Sequence, residues 1–338
     1  MRELFESTVE RLLADICTPE AVLASEGGQW PAALWAAVED SGFALAAAPE
    51  SSGGAGASWD DLFPVLLACG RHCAPLPLPE AILCNWLLGC AGLEAVGGPL
   101  SVAFDARLTW TDGKLSGRLS GVPWGRHVAH VVALVGDSVV LLATASASAV
   151  NAGQNIAGES RDDMSFSDVA PIASAARPAS LSADVVLQGG ALLRAAQTAG
   201  ALQAVLAMCT QHATERVQFG KPIGSFQSIG HQIAVLAEQV ALATVTAEAA
   251  CAEFAPLRIA SAKVCSAEAA GIAAGIAHAV HGAMGFTHEH RLHLSTRRLW
   301  AWRSEFGSAS EWSQRIGRLA CVGGAAKFWP AITAGEFK

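Results

Sequence analysis

The hydrophobic period changes twice along this chain, and few folds accommodate that order. From residue 1 to about 98 the apolar positions recur every three or four residues. Leu4, Val9, Leu12 and Leu13 share one helical face, and Trp30-Pro31 starts a second amphipathic stretch that runs to about Glu39. The Ser/Gly-rich run from Ser51 to Ser58 reads as a loop, followed by a helix through Leu62, Val65, Leu66 and Leu67. Cys73 to Pro79, with three prolines, reads as a stiff extended joint. From 99 to 188 the signal is that of strands. Leu108–Trp110 and Lys114–Leu119 flank Asp112-Gly113, and His130–Val135 and Ser138–Leu142 flank Gly136-Asp137, each a hairpin turn. Val185 to Leu187 reads as a closing strand, so this block is expected to be a small antiparallel barrel or sandwich. From 189 to 338 helices return. Leu202, Val205, Leu206 and Cys209, then Ile229, Ile233, Leu236 and Val240, predict long helices packed as an antiparallel four-helix bundle. The expected class is therefore α+β and mostly α: a helical domain (1–98), a reduced β domain (99–188) and a helical bundle (189–338).

Composition narrows the function. The 338 residues suffice for a sizeable core, and 52% are hydrophobic against 15% charged, so much of the surface is suited to contact and an oligomer is favoured. A net charge of −8 without a basic run argues against a nucleic-acid partner. Glu3, Glu6 and Glu10 interrupt any leader-like start. The Ala/Gly-rich run from Gly271 to Phe286 is too short and too small in side chain for a membrane span, so a soluble, cytoplasmic protein is expected. Nine cysteines, odd in number and without C-x-x-C spacing, favour neither a disulfide framework nor a zinc site. Cys69-Gly-Arg-His-Cys73 is read as buried thiols rather than a metal knuckle.

Between two Ala/Leu-rich helical segments lies Arg216-Val-Gln-Phe-Gly-Lys-Pro-Ile-Gly-Ser-Phe-Gln227. Arg216 is a fixed cation at a helix end, Phe219-Gly220 a tight corner, Pro222 a helix stop, and Phe226-Gln227 opens the next helix. A planar guanidinium beside free backbone N–H groups suits a pyrophosphate. The same residues also suit a plain helix–turn–helix connection, and spacing alone leaves both readings open.

That segment is similar to the R-x-x-F-G-K-x-I-x-x-F-Q motif of the acyl-CoA dehydrogenase family. His281-Gly-Ala-Met-Gly-Phe-Thr-His-Glu-His-Arg-Leu-His-Leu294, followed by Arg297-Arg298, resembles the family's H-G-G-x-G-F-T-x-E-H-x-L-H-L pattern. Weaker echoes lie at Leu34-Trp-Ala, Ala48-Pro-Glu50 and Ala74–Leu78. The resemblance implies a flavoprotein that removes hydrogens from the α and β carbons of an acyl-CoA thioester. A carboxylate takes the α-proton while a hydride leaves for FAD. It further implies that Arg216 reaches the FAD pyrophosphate across a dimer interface and that Phe219 packs near the adenosine half. Gln227, Gly282 and Ala283 would complete the dinucleotide contacts, Ala283 standing where the family has a second glycine.

Two departures from the family pattern matter. The family's catalytic glutamate falls on Phe306 by one alignment and near Gly190 by the other, and neither can abstract a proton. Glu305 is one residue, or about 100° of helix, away from the first position. The flavin-contacting T-E-P-x-x-G-S-D loop has no counterpart between Leu100 and Val122. The chain therefore resembles the non-catalytic β subunit of heteromeric (α2β2) steroid- or bile-acid-type acyl-CoA dehydrogenases. The resemblance implies a catalytic α-type partner that supplies the glutamate and most of the acyl-CoA site, with an electron-transfer flavoprotein among its redox partners. A self-sufficient homo-oligomer using Glu305, and a flavin-free structural partner, are the two alternatives. Glu289 is expected to pair with Arg297 or Arg298. His288, His290 and His293 are read as hydrogen-bonding side chains at a helix start rather than metal ligands. Trp300 and Trp302 are assigned to packing, and Glu311, Arg315 and Arg318 to a solvated helix face.

Overall fold

The computed structural model describes residues 1–322 and 324–334. Five helices come first: α1 (Arg2–Ile16), α2 (Pro19–Glu26), α3 (Ala32–Asp40), α4 (Trp59–Arg71) and α5 (Leu78–Cys90). Local chemistry sets their ends. The Thr18 side chain accepts the Ala21 N–H ahead of Pro19, and Ser58 with Asp61 forms a reciprocal capping box on α4. The stiff joint is shorter than expected: α5 already begins at Leu78, with Pro79 tolerated in its first turn.

Eight strands follow: β1 (Leu100–Ala103), β2 (Asp105–Thr111), β3 (Lys114–Pro123), β4 (His130–Val135), β5 (Ser138–Ala143), β6 (Ala149–Asn151), β7 (Arg161–Val169) and β8 (Ala173–Ala176). They form two four-stranded sheets, β1-β4-β5-β8 and β2-β3-β7-β6, antiparallel except for the β1–β4 pair. Both hairpins fall where expected. Thr111 faces Lys114 across Asp112 and Gly113, at φ +49° and +77°, and Val135 faces Ser138 across Gly136 at φ +60°. Leu108, Leu115 and Leu119 of one sheet share a dry core with Val131, Val140 and Leu142 of the other, which makes the block a sandwich.

Val185 to Leu187 is not a strand. These residues open the 31-residue helix α6 (Val185–Glu215), because a β-branched pair at the buried start of a long Ala/Leu helix packs as well as one in a sheet. After α6 come a two-residue ribbon, β9 (Val217–Gln218) with β10 (Lys221–Pro222), then α7 (Gln227–Ala252), α8 (Pro256–His281), α9 (Leu292–Trp302), α10 (Ala309–Val322) and α11 (Ala325–Ala334). Helices α6, α7 and α8 pack on one another, α9 lies against α6 and α8, and α10 lies against α8. The bundle and the N-terminal helices share one core, in which Leu13, Leu66 and Leu83 meet Leu192, Ala196 and Leu202.

Three helical stretches, Val185–Glu215, Gln227–Ala252 and Pro256–Phe286, are long and apolar enough to cross a membrane by length and composition, which the sequence reading did not credit. In α6, 78% of that apolar window is buried inside the protein; in α7 only 28% is. The apolar length of α6 is thus spent on the core, whereas α7 turns Val235, Leu242 and Val245 outward.

Candidate functional site

Helix α6 ends at Glu215, and Arg216 is its C-cap in an extended conformation, so the helix stops seven residues before Pro222. The chain then reverses through Phe219 and Gly220, both left-handed at φ +52° and +79°. A non-glycine residue held there stores about 1 kcal/mol or more of strain, and Phe219 is also 91% exposed. Its ring meets only the edge of Phe226, over which Lys221 Nζ sits at 4.4 Å. The Arg216 guanidinium is exposed and makes no hydrogen bond or ion pair among the described residues.

The second motif lies at the end of α8. Gly282 takes φ +59°, ψ −143°, a conformation reserved for glycine, and nothing lies within 4 Å of where a Cβ would stand. The 3-10 turn that follows, Gly282–Phe286, exposes Ala283, Met284 and Phe286. The two motifs are joined by stacked imidazoles. His212, one turn before Arg216, stacks on His281 at 4.6 Å, and His281 meets His290 at 4.7 Å. Gln227 opens α7 on the return from the same corner, exposed.

The family's two base positions are the other half of the question. Phe306, at φ +53°, lays its ring directly on Gly190, where a Cβ would fall well inside contact distance of the ring. The two sites that could carry the glutamate are therefore neighbours, one filled by an aromatic ring and the other emptied to receive it. Phe104 covers the outer side of Phe306 at 6.1 Å. It is the single residue between β1 and β2, so no loop of the T-E-P type is present there.

Glu305 lines a small pocket of about 190 Å³ with Phe104, Pro123 and Phe306, but its carboxylate is fully engaged. It accepts from Asn155 Nδ2 at 2.9 Å, from Arg161 Nε and Nη2 at 2.9 Å each, and from Arg194 Nε at 2.7 Å. Burial alone would raise its carboxyl, but Arg161 and then Arg194 overcome that and hold it down to about 2. Such a carboxylate is a poor proton acceptor, so the structure speaks against Glu305 as a base. The network continues. Arg194 bonds Glu80 at 2.6 Å, Arg161 pairs with Glu159 at 2.9 Å, and Arg298 pairs with Glu26 at 2.8 Å and Glu159 at 3.3 Å. It ties α2, α5, α6, α9 and the β sandwich together. Burial pushes Lys263 down to about 7, and its Nζ donates to the Trp302 carbonyl at 2.6 Å, closing α9.

Several expectations need correction. Arg297 and Arg298 pair with Glu26, not with Glu289, which is exposed. Glu311 caps α10 by accepting from Ser308, and Arg315 pairs with Asp184 at 2.7 Å over the Trp312 ring, so only Arg318 of that trio is simply solvated. His290 and His293 do bond to backbone at the start of α9. Trp302 is core, donating to Glu159 at 2.9 Å, while Trp300 is 45% exposed. Arg194, Arg161, Glu159 and Lys263 were not singled out in the sequence, although Arg194 is the lone arginine or lysine in α6.

The chain belongs to the acyl-CoA dehydrogenase family: the family's N-terminal domain matches residues 2–98 and its C-terminal domain residues 182–310. It is 29% identical over 307 residues to the acyl-CoA dehydrogenase IpdE2 of Mycobacterium tuberculosis, covering 88% of this chain and 90% of that one. Among solved structures it resembles the ChsE4–ChsE5 complex from Mycobacterium tuberculosis, with 25% identity, TM-score 0.79, and 94% of this chain and 96% of that chain covered. It shares the fold of the Tcur3481–Tcur3483 steroid ACAD G363A variant at TM-score 0.85 and 22% identity, over 96% and 98% of the two chains.

Members of this family are FAD-dependent, and the residues of this chain fit that cofactor in part. The Arg216 corner, with an unpaired guanidinium, an outward aromatic ring and a glycine open to close approach, fits a dinucleotide. At Phe306 and Gly190 themselves no carboxylate stands, and the Phe306 ring fills the space over Gly190.

Proposed function

We propose that this chain is the non-catalytic β-type subunit of an α2β2 FAD-dependent acyl-CoA dehydrogenase of the cytoplasm, acting on a bulky, steroid-derived CoA thioester. Arg216 would bind the pyrophosphate, Phe219 would pack on the adenosine half, and Gln227, Gly282 and Ala283 would line the dinucleotide. A bound flavin would supply the hydride acceptor for the reaction, and the α-type partner would contribute the glutamate that takes the α-proton. What this chain adds is orientation. The Arg216 guanidinium would hold the pyrophosphate and so limit where the attached ring can reach, a contribution that tolerates little displacement. The observation carrying this reading is the coexistence of an exposed, strained, unpaired corner at Arg216–Gly220 with base positions closed by Phe306 on Gly190. The relatives named above, a steroid dehydrogenase and a two-component complex among them, support the substrate class and the partner.

The test is Arg216→Ala in the co-purified complex, read as the flavin-to-protein ratio. Loss of flavin with the complex still assembled is the expected outcome. Unchanged flavin and turnover would make the chain a flavin-free scaffold, and FAD-loaded, active protein from this chain alone would defeat the proposal.

A further inference from the structure

Toward the C-terminal end of α6, several turns from Gly190, the molecule holds a cavity of about 390 Å³ that the dinucleotide reading does not use. It lies where the α1–α2 turn and the end of α4 meet the second half of α6 and the start of α9. Much of its lining is apolar: Val22, Ala204, Ala207, Met208 and Leu294 form it, the thiols of Cys17 and Cys73 add to this surface, and Gln203 and Ser295 are its neutral polar groups. Burial pushes the Cys17 thiol up to about 12 and the Cys73 thiol up as well, so both stay neutral and act as small apolar groups.

The charged side chains on this lining are all basic: Arg71, His72 and Arg291. Arg71 and His72 are held from behind by Glu10, which does not line the cavity. Arg291 is exposed at the mouth and has no hydrogen-bond or ion-pair partner for its guanidinium among the described residues. An apolar body of this volume with an unpaired cation at its entrance and no acid inside complements one class of small molecule. The size lies within the ordinary range for ligand cavities, and a guanidinium pairs well with a carboxylate.

We infer that this cavity binds an apolar monocarboxylate, with the hydrocarbon among Val22, Ala204 and Met208 and the carboxylate on Arg291. The inference does not depend on the flavin reading, because none of these residues belongs to the dinucleotide corner. A fatty acid and a sterane carboxylate share this chemistry, and competition separates them.

The test is a fluorescence titration of the full chain, in whatever complex it purifies as, with 11-(dansylamino)undecanoic acid. Saturable enhancement, displaced by palmitate or by cholate, is expected, and the better competitor identifies the hydrocarbon. Ala207→Trp, at an exposed position that can take the larger side chain, should abolish the signal while flavin content stays unchanged. Arg291→Gln should weaken palmitate about tenfold and leave hexadecanol unaffected. Absence of saturable binding, or Ala207→Trp binding like the parent, overturns the inference. So does equal competition by hexadecanol and palmitate. Arg291 has no partner to lose, so its substitution keeps the test valid if the tryptophan variant folds poorly.

Discussion

Replacing Glu305 by glutamine separates a structural carboxylate from a catalytic one. In the folded chain Glu305 faces Arg161 and Arg194 and is held at about 2 rather than the ordinary 4.5. That difference corresponds to about 3 kcal/mol of stability, at the lower end of what breaking a buried ion pair costs. For a chain of this length the unfolding entropy converts it to a fall of about 4 °C in thermal midpoint. The sign with pH follows from the lowered value. The contribution is complete above the unfolded-chain value of about 4.5 and is lost as pH falls toward 2. The gap between parent and Glu305→Gln should therefore be constant near neutrality and narrow only in acid. The assay is a thermal melt of the purified complex alongside its turnover. Turnover should track the fraction folded. A variant with an unchanged midpoint but abolished turnover would refute the argument and make Glu305 the base.

Three further outcomes follow from the geometry. Gly190→Ala drives a methyl into the Phe306 ring and should cost about 1–3 kcal/mol in a urea melt, with Phe306→Gly in the same chain recovering part of the loss. Phe219→Gly removes a left-handed, 91% exposed phenylalanine, so the melt should stay level or gain about 1 kcal/mol while the complex loses flavin. His212, His278 and His290 are pushed below their usual 6.5 by burial first and then by His281, with Arg216 and Arg291 adding to the effect on His212 and His290. A lowered folded value means the unfolded chain takes up protons first, so the melting temperature should fall as acid is added from about pH 7 to about pH 5. His290→Asn should flatten that slope, and a profile that rises on acidification would contradict the assignment.

Much of this architecture was legible because the deciding signals are local. Asp112-Gly113 and Gly136 demand positive φ, and the bundle helices announce their period over many turns. The Val185–Leu187 error has the opposite cause: three apolar residues fit a strand or a buried helix end, and only the packing of α6 against its neighbours decides. That Phe306 and Gly190 carry no carboxylate is a matter of residue identity and needs no structure. What could not be read was where Glu305 points, because its partners Asn155, Arg161 and Arg194 lie 111 to 150 residues away in sequence. A trace remained in Arg194, a lone arginine in an Ala/Leu helix. A cation in such a stretch must find a buried acid, but sequence alone does not say which one.

On the proposed reading, the pairing of Phe306 with Gly190 means that restoring a base would take more than a single substitution. A glutamate returned to 306 would stand near the Arg194 guanidinium, which lies 5.5 Å from the Phe306 ring centre and already pairs with Glu80 and Glu305. That cation would hold a new carboxylate ionised and low, the reverse of what a proton acceptor near neutrality needs. A glutamate at 190 would require the ring to leave first. The ion network and the aromatic ring thus stabilise the same arrangement around Gly190. The corner around Arg216 and Phe219 combines an unpaired guanidinium among the described residues with a left-handed, exposed phenylalanine, which is what a ligand held largely by another subunit would meet on arrival.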